Sequence, residues 1–275
     1  MTYREALNLG EKVLSMASIA DAKTDAWLLL SMVCKMERSF YYLHMEEELP
    51  EEQLSEYEIA LKKRAEHVPL QYIVGETEFM GLRFKVNSSV LIPRQDTETL
   101  VEEALKVVKP GMKVLDLCTG SGCIIISILH NVSEVEGYAI DISKQALNVA
   151  KENAKLNDVS VMFEHSDLFD HVSGTYDVIV SNPPYIPTTE ILKLMPEVQT
   201  FEPMEALDGK EDGLHFYRKI IAEAQDYLNP GGHLLFEIGY DQGEAVLALM
   251  ENAGFQDVQV IKDLAHNDRV VTGML

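Results

Sequence analysis

The sequence carries only three cysteines, Cys34, Cys118 and Cys123, with no C-x-x-C pair among them. An odd, unpaired set excludes a disulfide framework and a zinc knuckle, and it fits free thiols in a reducing compartment. Basic residues are scarce as well: 23 Lys and Arg stand against 45 Asp and Glu, a formal net charge of −22 at pH 7. That balance opposes non-specific attraction to a phosphate backbone, which relies on clustered cations displacing counterions, and it favours a basic protein partner. No apolar run is long enough to span a bilayer, so no membrane association is expected. The N-terminal MTYREALNLGEKVL is a charged amphipathic helix and not a signal peptide. A cytoplasmic location is the expectation, and the sequons at Asn87 and Asn131 carry no meaning there. The histidines show no H-E-x-x-H or paired spacing, so no metal is expected. Ser-His-Asp and Cys-His groupings, a P-loop and the G-x-G-x-x-G of a dehydrogenase are missing too.

What is present is ordinary globular composition, 47% apolar and 25% charged over 275 residues, which suits one large domain plus a smaller one. Over 1–72 apolar residues such as Ala26, Leu29, Leu30 and Val33 recur at three- and four-residue spacing, predicting a small N-terminal helical domain with Trp27 in its core. Gly75, Gly81 and the alternation in LRFKVNSSVLI predict a β-hairpin linker over 73–92. From 93 to the C-terminus a helix through Thr97–Val108 is followed by a rhythm of short apolar strands and amphipathic helices, the pattern of an α/β doubly wound sheet. Strands are predicted at Lys113–Leu117, Glu136–Ile140, Ser160–Glu164, Asp177–Ser181 and His233–Ile238. The last two, Gln256–Lys262 and Asp268–Thr272, are too close for a crossover helix, so a mostly parallel sheet with one antiparallel strand results.

The first strand, VLDLC, runs into Thr119-Gly120-Ser121-Gly122 and then a helix, which places a glycine-rich turn beside Cys118 at the carboxyl edge of the sheet, where ligands bind. The glycines admit a ligand close to the backbone, and the helix N-terminus offers free amide donors to an anion. Asp141 ends the second strand about twenty residues beyond that turn, the place of a ribose-binding carboxylate; the alternative is an N-cap. After the third strand Asp167 can accept from an adenine amino group, with Leu168 beside it and Phe169 covering the ring, or it serves the loop. Asp116 is polar where a buried parallel strand should be apolar, so it holds either the glycine loop or a ligand ammonium. An adenosine joined to an amino acid suits this set, which points to S-adenosylmethionine.

The fourth strand ends in Asn182-Pro183-Pro184-Tyr185-Ile186. Two prolines fix φ and remove two donors, leaving stiff carbonyl acceptors at a strand tip. With the Asn182 side-chain oxygen and the Pro183 carbonyl each accepting one N–H, a resonance-weakened amide-type nitrogen is held and its lone pair aimed at a methyl group, while Tyr185 packs on the planar group.

These residues resemble the class I methyltransferases, and others narrow the match to the release-factor glutamine methyltransferases, the HemK/PrmC family. They are Pro69-Leu70-Gln71-Tyr72-Ile73-Val74-Gly75, Leu91-Ile92-Pro93-Arg94-Gln95-Asp96-Thr97-Glu98, Phe201-Glu202-Pro203 and Asn267-Asp268-Arg269-Val270. The resemblance spans nearly the whole chain. It implies a Rossmann-like sheet and transfer of methyl from S-adenosylmethionine to N5 of the glutamine in the Gly-Gly-Gln loop of peptide chain release factors. Asn182 to Ile186 would bind that glutamine, and the helical domain would grip the release factor. Gln95 and Thr200 depart from the family's usual proline and arginine, which bears on docking and not on chemistry. The rival is an N6-adenine methyltransferase, whose substrate offers the same planar NH2; the acidic charge and the lack of a basic recognition domain speak against it. A silent binding module is the other alternative, against which Asn182-Pro183-Pro184-Tyr185 and the TGSG turn speak.

Overall fold

A computed structural model describes residues 1–275, and the chain forms two compact units, Met1–Gly75 with Met195–Phe201, and Glu76–Leu194 with Glu202–Leu275.

The first unit is helical, with α1 (Tyr3–Met16), α2 (Ala22–Cys34), α3 (Arg38–His44), α4 (Glu51–Ala65) and α5 (Leu70–Val74). Thr2 starts α1 with a reciprocal cap: its hydroxyl accepts from the Glu5 amide at 3.2 Å, and the Glu5 carboxylate accepts from the Thr2 amide at 2.9 Å. This satisfies two amides that the first turn leaves free. The faces predicted from the spacing meet in a core of Leu14, Ala26, Trp27, Leu29, Leu30 and Tyr57, each large side chain contributing about 1.5–3 kcal/mol by leaving water. A distant segment, α10 (Pro196–Phe201), joins this unit. The buried Arg64 donates through Nε to Asp25 at 2.7 Å and pairs through Nη2 with Glu197 at 2.7 Å.

The second unit opens with an antiparallel hairpin, β1 (Glu76–Phe79) and β2 (Leu82–Lys85). Asn153, on α8 (Lys144–Leu156), clasps it, accepting from the Lys85 amide at 2.7 Å and donating to the Lys85 carbonyl at 3.0 Å. Seven further strands build the sheet: β3 (Lys113–Leu117), β4 (Glu136–Asp141), β5 (Val161–His165), β6 (Tyr176–Ser181), β7 (Leu228–Glu237), β8 (Gln256–Lys262) and β9 (Asp268–Met274), in the order β5-β4-β3-β6-β7-β9-β8. All neighbours are parallel except β9, which runs against both β7 and β8. The mostly parallel sheet with one reversed strand is therefore as expected.

Side chains alternate between the faces. Leu115, Leu117, Ile179 and Phe236 pack with Tyr217 and Ile220 of α11 (His215–Tyr227) and Met250 of α12 (Gly243–Asn252). Val114, Val178, Val180 and Leu235 pack with Leu100 and Ala104 of α6 (Glu98–Val107) and Ile124 of α7 (Cys123–Asn131). A short α9 (Thr188–Ile191) follows β6. Chain order reverses direction at β3, between β4 and β6, which is where doubly wound sheets open a crevice at their carboxyl ends. No helix is long and apolar enough to cross a membrane.

Candidate active site

The carboxyl ends of β3, β4, β5 and β6 converge on a cavity of 390 Å³, within the size range of small-molecule sites. At β3 the chain leaves the sheet through Cys118, which holds a left-handed φ of 62°. This conformation is costly for a residue with a Cβ and recurs at functional turns. Gly120 follows with φ 55° and Gly122 with φ 81°, and no atom lies within 4 Å of where a Gly120 Cβ would stand. Cys118, Thr119, Gly120 and Ser121 line the cavity, and so do Cys123 and Ile124 from the first turn of α7.

Asp116 lies beneath the turn and does not reach the cavity wall. It is fully buried and accepts from the Thr119 hydroxyl at 2.6 Å, so of the two roles open to it the loop-holding one is seen. Burial pushes its carboxyl up to about 7.

Asp141 lines the cavity from the end of β4. Its Oδ2 accepts from the Gly120 amide at 2.8 Å and its Oδ1 from the Ser143 amide at 2.8 Å, which ties the second strand to the glycine turn. The N-cap of α8 is Ser143, whose hydroxyl accepts from the Ala146 amide. The capping alternative for Asp141 is thus corrected, and each carboxylate oxygen keeps a second lone pair for a ligand. Burial raises its carboxyl above the ordinary range, while the two amide bonds pull it back.

After β5, Asp167 and Leu168 line the cavity, Leu168 at a left-handed φ of 46°. Phe169 does not: it is buried in the core and stacks on Tyr227, ring centroids 4.5 Å apart. The expectation that it covers a bound ring is corrected, since a large aromatic gains more from burial under the sheet than from a half-open wall. Exposed Ile142, with Leu168, supplies apolar wall there instead.

Asn182 and Pro184 line the cavity from the end of β6; Pro183 between them, and Tyr185 and Ile186 beyond, do not line it. The Tyr185 hydroxyl donates to Glu237 Oε1 at 3.2 Å, and its backbone carbonyl accepts from Gln242 Nε2 at 3.0 Å. Ile186 exchanges backbone bonds with Leu207 and Gly209. Tyr185 thus fixes the loop from behind, and this corrects its expected place against a bound planar group.

Several residues at the site escaped the sequence reading as individuals. Arg94 on the cavity wall pairs with the buried Glu202. Thr97 accepts from Asn182 Nδ2 at 3.4 Å. Glu237, a carboxyl ending the apolar run HLLFE, gives the same signal that singled out Asp116, a charge where a parallel strand should be apolar.

Comparison with known proteins bears on what this site serves. The family model described as "PrmC N-terminal domain" matches residues 5–75, and that described as "Methyltransferase small domain" matches residues 95–196. The release factor glutamine methyltransferase of Geobacter sulfurreducens is 39% identical over 275 residues, covering 100% of this chain and 97% of that protein. The protein of the same name from Clostridium acetobutylicum is 41% identical over 278 residues, covering 98% of each. Among solved structures, a methyltransferase from Pyrococcus furiosus is similar with a TM-score of 0.54 at 18% identity, over 70% of this chain and 89% of its own, a likeness of fold alone. With such identity along the full length of both chains, the protein belongs to the release factor glutamine methyltransferase family.

Proposed function

We propose that the chain transfers the methyl group of S-adenosylmethionine to N5 of the glutamine in the Gly-Gly-Gln loop of peptide chain release factors, in the cytoplasm. The observation that carries this reading is the convergence, in one cavity, of the glycine turn, Asp141 and Asn182 on a chain whose full-length relatives bear the name release factor glutamine methyltransferase.

The residues present fit the methyl donor. Open space faces Gly120 where a side chain would stand, the first turn of α7 offers backbone amides to a carboxylate, and the Asp141 oxygens keep lone pairs for ribose hydroxyls. Asp167 is exposed on the cavity wall to accept from an adenine amino group, between the apolar faces of Ile142 and Leu168. When bound, the donor's sulfonium supplies an electrophilic methyl group.

The protein's own task is to hold the acceptor nitrogen. An amide NH2 is a poor nucleophile because its lone pair is shared with the carbonyl. Asn182 Oδ1 and the Pro183 carbonyl accept its two N–H groups, fix it in space and leave the lone pair facing the methyl group. The carbonyls of Tyr185 and Ile186 are taken up by Gln242 and Gly209, so the acceptors left for substrate lie at the Asn182–Pro183 end. Placement, not a strong base, provides the acceleration. The helical unit supplies the docking surface for the release factor.

Incubating the protein with labelled methyl donor and either a release factor or duplex DNA tests this. Label is expected on the release-factor glutamine, located by mass spectrometry. Label on DNA alone overturns the reading.

A further inference from the structure

The atom that holds the Tyr185 carbonyl belongs to Gln242, far along the chain in the turn between β7 and α12. Gln242 is only 7% exposed. Its backbone stands at the N-cap position of α12, yet its side chain makes no capping bond. Short side chains such as Ser, Thr, Asn and Asp reach the first-turn amides best. A buried glutamine at that place serves something other than its own helix.

Its amide is fully engaged, and in one orientation. The Gly239 backbone N–H donates to Oε1 at 2.9 Å; a backbone amide only donates, so the end that meets it is the oxygen. Nε2 then faces two backbone carbonyls, donating to Tyr185 at 3.0 Å and to Gly213 at 3.3 Å, one hydrogen for each. The loop after β6, the stretch before α11 and the turn after β7 thus meet on a single side-chain amide. Two glycines make room for that meeting. A Cβ on Gly213 would lie 2.3 Å from the Tyr185 oxygen and 2.6 Å from Gln242 Nε2, and one on Gly209 would lie 2.7 Å from Tyr185 Cα.

The two prolines stiffen the loop, but a stiff piece still swings about its ends unless it is anchored. Gln242 itself does not line the cavity. We propose that Gln242 is a positioning residue for the methyl transfer: by gripping the Tyr185 carbonyl it sets where the Asn182 and Pro183 acceptors stand, and so where the substrate nitrogen meets the methyl group. This rests on the reading of the Asn182–Tyr185 loop as the element that holds the glutamine.

Gln242→Glu separates positioning from a merely structural role. The glutamate keeps an oxygen for the Gly239 amide. When ionised, its other oxygen faces two carbonyls that have no proton to give, and the loop is pushed away; when protonated, its O–H restores one of the two lost bonds. Burial against carbonyl oxygens raises such a carboxyl above its ordinary range, which brings the change into a pH range where rates can be measured. Around Gln242 stand Tyr185, Tyr217 of α11, Glu237 of β7, Asp241, and Asp268 and Arg269 of β9. These are the same in both proteins, so their titration is referred out by taking the ratio of variant to wild type at each pH.

The experiment uses the full chain with a release factor and S-adenosylmethionine. It reads kcat, KM for the release factor and affinity for S-adenosylhomocysteine between about pH 9 and about pH 6. For Gln242→Glu the kcat ratio is expected to fall about a hundredfold at the alkaline end and to recover at least severalfold toward the acid end, with KM and product affinity nearly unchanged. Gln242→Met, similar in size and without a donor, should be slowed at every pH with no recovery. Thermal melts and product binding show that each variant is folded, and should the glutamate variant fail there, the split between kcat and KM in Gln242→Met decides. A kcat ratio that does not vary with pH, a loss carried by KM or product affinity, or two variants that do not fold makes Gln242 structural and overturns the proposal while the function stands. A wild type inert toward the release factor overturns both.

Discussion

Asp116 is fully buried in β3 and its carboxyl is pushed up to about 7 from an ordinary 3.8, desolvation being the main cause, with the Thr119 hydroxyl pulling it back. The folded protein therefore binds this proton more tightly than the unfolded chain, and stability falls as pH rises through the window from about 4 to about 7. Asp116→Asn keeps an oxygen for Thr119 but cannot ionise. Its melting temperature should gain on that of wild type from about pH 4 to about pH 7 and keep a constant lead above that, measured without ligand; a gap that does not change with pH between 4 and 7 contradicts this. At this scale the sequence was readable wherever a residue broke a local rule. Asp116 stood out in an apolar strand, and Asp141 stood out by its distance from the glycine turn. Thr97 was not readable, because its partner Asn182 reaches it only through the fold, and a threonine in a helical first turn breaks no rule by itself. Phe169 misled for the converse reason: an aromatic beside a candidate adenine site looks functional until its stacking on Tyr227 is seen.

Among the elements, the turn between β3 and α7 shows how two glycines in one motif do different work. A Cβ on Gly122 would lie 2.9 Å from Ile126 Cδ1 and 3.2 Å from Ala150 Cβ, at φ 81°, whereas one on Gly120, at φ 55°, would meet nothing within 4 Å. Gly122→Ala should therefore cost about 1–3 kcal/mol of stability. Gly120→Ala should cost less and act chiefly on donor affinity, because the donor is proposed to lie in the open space beside it. Denaturant midpoints and donor titrations separate the two, and equal losses of stability would contradict the assignment. The strands were legible as apolar runs bounded by turn residues, but their ends were not. β7 begins at Leu228 and not at His233, since a register shift between Tyr176 and Val178 on β6 lets Pro230 and Gly231 bulge from the ladder. β5 is an edge strand with no buried residue, and its boundary slipped by one position for lack of a strong apolar signal.

For the molecule as a whole, 45 acidic residues against 23 basic ones make long-range steering of a basic protein partner an expected part of catalysis. Raising ionic strength from low to physiological values, where the screening length shrinks to about 8 Å, should lower kcat/KM for the release factor and leave kcat alone. A salt-independent kcat/KM would show that charge does not guide the encounter. The separation into a helical part and an α/β part was legible from the change of period near Pro69. The membership of α10 in the helical unit was not, because the Arg64–Glu197 pair that ties it there joins residues far apart in sequence. Whether Asn182 holds the acceptor nitrogen is decided by Asn182→Ala, followed in the same preparation by release-factor methylation and by binding of S-adenosylhomocysteine. Transfer should fall about a thousandfold with nearly unchanged affinity for that product; a variant that methylates at the wild-type rate would show that Asn182 does not hold the nitrogen.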